Sequence, residues 1–161
     1  MKARQRAHLS SVFGRFYRRH LHDRVRLDDC FYCGEPAQSL DHVPPLAWVE
    51  HKEVAEWKRR GIPLVLVRSC VDCNKRLGDR PFFTTQERCA FLNDRLTAQF
   101  ERDSLLWSED EIAEMGHAMQ LMIRAKMFEA NSLIKRLRHL ERMIIDDDVH
   151  PSVISEEVKP Q

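Results

Sequence analysis

No apolar run in this 161-residue sequence approaches the ~20 residues that a membrane-spanning helix needs, which excludes a helical membrane protein. The basic N-terminus lacks the apolar core of a signal peptide, so a cytoplasmic chain without membrane contact is expected. There are no internal repeats and no low-complexity block, so a repeat architecture is not expected. Neither sign of charge dominates: Lys+Arg number 26 and Asp+Glu 25, for a net charge of +1. With 43% hydrophobic and 32% charged residues, the composition is that of a folded soluble chain and not of a disordered one. Its length fits one domain, or one small domain with a helical extension. Five cysteines in a cytoplasmic setting point to metal binding sooner than to disulfides.

The near-neutral total hides an asymmetry. Residues 1–29 carry eight Lys/Arg against three Asp, whereas residues 103–161 carry twelve Asp/Glu against seven Lys/Arg. A basic end on a near-neutral chain is a place for a polyanion to dock, although a solvated charge-rich helix would look the same.

Composition divides the chain into four stretches: a basic amphipathic helix in 1–27, a knuckle core in 28–83, a helical extension in 84–145 and an acidic tail in 146–161. In the first, Leu9, Val12, Phe13, Phe16, Tyr17, Leu21 and Val25 recur at spacings of three and four, predicting a helix over 8–27. The second contains a helix-like stretch at 46–60, stopped by Gly61-Ile62-Pro63, and a short buried strand at Leu64–Val67. The third opens a helix at Thr84 or Thr85, with Glu87 placed for a capping box, and another at Ser108. From Ile112 the apolar pattern runs through Met115, Met119, Met122, Ala130, Leu133, Leu137 and Leu140 to Ile144. It has no proline and a single glycine, Gly116, and so predicts one long helix. The last stretch lacks periodicity and reads as a frayed tail.

Cys30-Phe-Tyr-Cys33-Gly34 and Cys70-Val-Asp-Cys73 are two matched CxxC pairs. Two thiolates two residues apart bind one tetrahedral ion while the backbone turns beneath them, and two pairs complete a four-sulfur site. Buried free thiols or a redox CxxC are alternatives, but neither accounts for two pairs. Zinc on Cys30, Cys33, Cys70 and Cys73 would have no open position and would be structural. Cys89 shares an apolar register with Leu92 and Leu96 and is expected in the core.

Between the pairs lies Asp41-His42-Val43-Pro44-Pro45, and Asn74 directly follows the last cysteine. The ordered set CxYCG, DHVPP, CxxCN and LGD resembles the zinc-containing HNH endonucleases of the ββα-metal group. The resemblance is closest to the phage recombination endonuclease VII branch and covers residues 28–80. It implies a zinc-stapled ββα core there; with the basic N-terminal helix and the long C-terminal helical extension read above, the expected fold is α+β and mostly helical. It implies His42 as general base and Asp41 and Asn74 as ligands of a catalytic Mg²⁺ or Mn²⁺. Imidazole titrates near neutrality, and a hard cation offsets the charge that builds on a phosphate under attack. It also implies DNA as partner and a homodimer through the C-terminal helices, with a helical hairpin within one chain as the alternative. The sequence departs from the family in lacking an asparagine in Gly61–Val65 and in carrying Leu77-Gly78-Asp79 after the last motif.

Phosphate contacts require Lys/Arg near the active centre. Candidates are Lys75, Arg76 and Arg80 beside Asn74, Arg59 and Arg60 at the end of the 46–60 helix, and Arg15, Arg18 and Arg19 in the basic helix. No base-reading motif is visible, so backbone or structure recognition is expected. The leading reading is a metal-dependent DNA endonuclease of phage, mobile-element, toxin or defence origin. The other class is a non-catalytic zinc module that binds nucleic acid or protein.

Overall fold

A computed structural model describes residues 3–20, 22, 25–49, 51–103 and 107–146. The acidic tail beyond residue 146 lies outside the described residues. The fold is mixed α+β and mostly helical, with one three-stranded sheet.

The first helix, α1 (Ala3–Phe13), is followed by a 3₁₀ turn at Gly14–Phe16 and by the two-residue strand β1 (Arg18–Arg19). The expected helix over 8–27 is therefore corrected: it ends at Phe13, and the chain becomes extended at Tyr17. The reason lies in where the apolar stripe goes. Phe13 and Tyr17 enter a small core with Leu46, Val49, Val54, Trp57 and Leu64, whereas Val25 packs against a separate, larger core. One straight helix could not serve both cores. The extended segment instead donates backbone bonds from Arg18 N to Leu64 O at 2.9 Å and from His20 N to Leu66 O at 2.8 Å.

Strand β2 (Ser39–Val43) leads through a 3₁₀ turn (Leu46–Trp48) to α2 (His51–Arg59). The helix expected at 46–60 is thus shorter and begins later. Gly61 ends it at φ +69°, a left-handed conformation that glycine adopts without penalty. Strand β3 (Val65–Ser69) then runs antiparallel to β2, with Asp41 opposite Val67 and His42 opposite Leu66, and parallel to β1 on its other edge. Helix α3 (Val71–Leu77) follows at once, so β2, β3 and α3 form a ββα unit.

Helix α4 (Thr85–Asp103) opens as the capping box predicts. Thr84 Oγ1 accepts from Glu87 N at 3.1 Å, and Glu87 Oε2 accepts from Thr84 N at 3.1 Å. Ser108 and Glu111 repeat this device at α5 (Glu109–Ala113). The single long helix expected from Ile112 is two helices, because the chain breaks at 114–116 before α6 (His117–Asp146). Gly116, a poor helix former, sits in the break, and the Gln120 amide donates to the freed Met115 carbonyl at 2.8 Å. An ion pair from Glu109 to Arg124 at 2.8 Å ties α5 to α6. Of the apolar pattern, Met119 and Met122 are about half exposed, whereas Ile123 is buried.

The larger core joins Cys30, Tyr32, Cys33, Val43, Val67, Cys70, Cys73 and Leu77 to Cys89, Leu92, Leu96, Leu133, Leu140 and Met143. The knuckle region and the helices after residue 83 therefore bury their apolar surfaces together. At ~25 cal/mol per Å² of apolar area, that shared burial stabilises both parts more than a short cysteine-rich segment could stabilise itself.

Candidate metal centre and adjoining cleft

The cysteine pairs sit where the backbone turns sharply. Gly34, at φ +73°, lets its N–H return to Cys30 O at 2.9 Å. Cys70 is the N-cap of α3, its Sγ accepting from Cys73 N at 3.3 Å. The first turn lies against the end of β3, with Phe31 N donating to Arg68 O at 2.9 Å, and Cys70 follows β3 directly. All four cysteines are buried and their sulfurs lie within 4.8 Å of one another, the single such metal-capable group among the described residues. Cys33 Sγ and Cys70 Sγ are 3.7 Å apart. Four sulfurs at ~2.3 Å from a common tetrahedral centre are about 3.8 Å from each other, so the cluster fits zinc.

Hydrogen bonding from Cys33 pulls Cys30 down to about 7, while bonds to neighbouring sulfurs push Cys33 and Cys73 up. The thiols compete, and one dication would hold all four as thiolates. Cys89 is fully buried among apolar side chains and stands outside this group.

Next to the cysteines is a cleft of about 150 Å³. Leu40, Asp41 and His42 from β2, Asn74 from α3, and Gly78 and Asp79 beyond it all line the cleft, with Ser10 reaching in from α1. Three residues chosen from the sequence, Asp41, His42 and Asn74, thus border one space.

Asp41 is 5% exposed, and its Oδ2 accepts from Tyr32 Oη at 2.7 Å and from Arg88 Nη1 at 2.5 Å. Burial raises its pKa, opposed by the Arg88 charge and by the Tyr32 hydrogen bond. His42 is half-buried, and its ring meets the edge of Tyr17 with centroids 4.9 Å apart at 83°. Tyr17 is itself anchored by donating Oη–H to Pro44 O at 2.7 Å. Asn74 Nδ2 donates to Ser39 Oγ at 3.1 Å, and Ser39 Oγ donates to Ser69 O at 2.8 Å. That chain leaves the amide oxygen as the Asn74 acceptor.

The donor set can be tested against a divalent ion. Asp41 Oδ2 is committed to Tyr32 and Arg88, the carboxylate also accepts from the His42 backbone N–H, and Asn74 offers one amide oxygen. A carboxylate and an amide oxygen with water are the donor types of a sparse magnesium site, but this carboxylate is buried and already hydrogen-bonded. Arg88 already offsets the Asp41 charge, so the pull on a second cation is weak.

The cationic candidates separate. Lys75 is exposed beside Asn74. Arg76 is engaged with Asp72 at 3.0 Å and Gln99 at 2.8 Å. Arg80 closes the end of α3 through Arg76 O at 2.6 Å and stacks over Phe91 at 4.8 Å. Arg59 pairs with Glu56 at 2.6 Å, and Arg60 is exposed. Arg15 and Lys58 lie over the same Phe16 ring at 4.9 and 5.1 Å, while Arg18 and Arg19 lie exposed on the short strand β1. Sequence reasoning missed Tyr17, Tyr32 and Arg88. Only Tyr32 carried a signal, its place between the first two cysteines.

No described helix is long and apolar enough to cross a membrane. Comparison of the chain with protein-family models, with curated proteins and with solved structures gave no match.

Proposed function

We propose that the chain is a metal-dependent endonuclease that hydrolyses DNA phosphodiester bonds. The observation carrying this reading is that Asp41, His42 and Asn74 border one cleft, on a ββα unit that supplies two of the four clustered cysteines, Cys70 and Cys73. In this reading His42 Nδ1 or Nε2 accepts a proton from a water attacking the phosphorus, while the bond to the 3′-oxygen breaks. The Tyr17 edge keeps the imidazole from rotating, and Ser39 keeps the Asn74 amide turned. Asp41 and Asn74 would hold a Mg²⁺ or Mn²⁺ ion, which would supply charge neutralisation at the phosphate. Zinc on the four cysteines would act as the frame. DNA and a second copy of the chain are the proposed partners, with exposed Leu121, Met122 and Phe128 on α6 available to the latter.

The test is nicking of supercoiled plasmid and of a four-way junction with Mg²⁺, Mn²⁺ or chelator. Cleavage should need the divalent ion and should disappear in His42→Ala; equal cleavage by both proteins in every condition rejects the reading. One observation favours a non-catalytic zinc module instead. The Asp41 carboxylate is already satisfied inside the protein by Tyr32 and Arg88. That module would bind DNA with no cleavage in any of these conditions.

A further inference from the structure

All four cysteines lie between residues 30 and 73, yet the side chains pressed around them include two from the C-terminal helix. His139 Nε2–H donates to Phe31 O, inside the first CxxC, at 3.0 Å. Its ring packs so closely on Gly34 that a Cβ there would stand 2.9 Å from Nδ1. One turn earlier, Arg136 Nη2 donates to Asp72 Oδ2, inside the second CxxC, at 2.6 Å and lies 3.6 Å from Cys73 Sγ. Residues three apart share a helix face. That face of α6 therefore touches both knuckles, one with each side chain.

We propose that Arg136 and His139 form the outer sphere of the metal centre, so that the C-terminal helix holds the ion although it supplies no ligand. Four thiolates around one dication carry a net charge of −2. A guanidinium that donates N–H to sulfur reduces this charge where it is concentrated and fixes the Cys73 orientation. The Arg136 side chain is only 12% exposed, so solvent screens it little. Asp72 is also held by Arg76, which reaches on to Gln99 of α4, but it is Arg136 that ties Cys73 Sγ to the C-terminal helix, across 63 positions of sequence. His139 braces the first knuckle through the backbone instead, setting the loop that presents Cys30 and Cys33. This arrangement stands whether or not the chain cleaves DNA.

The experiment uses the full chain with Co²⁺ in place of zinc, reading the thiolate-to-cobalt charge-transfer band, and with zinc itself, reading competition against a chromogenic chelator. In Arg136→Met the band should move to lower energy, because a sulfur without its N–H donor is a better electron donor. The same variant should bind zinc about 10- to 100-fold more weakly. Arg136→Lys should recover part of both effects, and Arg124→Met, elsewhere on α6, neither. His139→Leu should weaken zinc binding without moving the band. A wild-type band and wild-type affinity in Arg136→Met overturn the proposal. If that variant does not fold, the same wild-type result in Arg136→Lys overturns it, since lysine keeps the charge and loses the forked donor. Wild-type affinity in His139→Leu overturns the part given to the imidazole.

Discussion

The Asp41 carboxylate and the Arg88 guanidinium form an ion pair at 2.5 Å, with side chains 6% and 0% exposed, joining β2 to a helix 47 positions later. A charge this deeply buried is tolerated only because it is paired. The pair therefore links the strand carrying His42 to the helical half of the molecule, whatever chemistry the cleft performs.

Removing Arg88 should be costly in a pH-dependent way. Arg88→Met leaves Asp41 buried and unpaired, and the expected loss is about 3–5 kcal/mol near neutral pH. Burial already raises the Asp41 pKa against the opposing pull of Arg88, so without Arg88 it rises further. A carboxyl whose folded pKa lies above its unfolded value favours the folded state below the unfolded pKa and loses that advantage as pH rises through the folded one. The stability gap to wild type should therefore narrow as pH falls. Urea unfolding of both zinc-loaded proteins at pH 7.5 and 5.5 measures it, and an equal gap at the two pH values contradicts the assignment.

Metal removal should separate the cysteines. Cys73→Ser, or chelation of the wild type, should collapse the shared core, because binding energy at such a site is folding energy. Cys89→Ala removes one buried sulfur outside the cluster and should cost about 1–2 kcal/mol while leaving one zinc per chain. Metal analysis together with thermal unfolding distinguishes the two, and zinc loss in Cys89→Ala would show that the cluster is misassigned.

Tyr17→Phe should act through His42. The ring edge remains, but Pro44 O loses its donor, at a cost of about 1–3 kcal/mol. If the cleft cleaves DNA, the variant should cut more slowly than wild type, whereas His42→Ala should lose about 10²- to 10⁴-fold. Single-turnover nicking rates on plasmid, with folding checked by circular dichroism, give both numbers. A Tyr17→Phe protein with unchanged rate and reduced stability would confine Tyr17 to a structural role.

Phe128, 77% exposed on α6, should contribute to self-association. A charge at this position, Phe128→Glu, should shift a dimer to monomer in sedimentation equilibrium without changing the thermal midpoint of the chain at low concentration. A wild-type protein that is monomeric at high micromolar concentration removes the second copy from the list of partners.

What could be read before folding was local. The two CxxC spacings identify a four-sulfur site because thiolate geometry needs only two intervening residues and a turn. Thr84 with Glu87, Ser108 with Glu111, and Gly61 mark helix ends through bonds and dihedrals that lie within a few residues. Asp41, His42 and Asn74 were singled out through a resemblance to a family motif, and the fold places all three around one cleft. Tertiary structure decided the rest, because those energies come from partners far along the chain. It split the 8–27 stripe between two cores and broke the long helix at Gly116. It turned Met119 and Met122 toward the surface. It also set Arg88 on Asp41 and Arg136 on the second knuckle, since a buried charge takes whichever counter-charge the packing brings within reach.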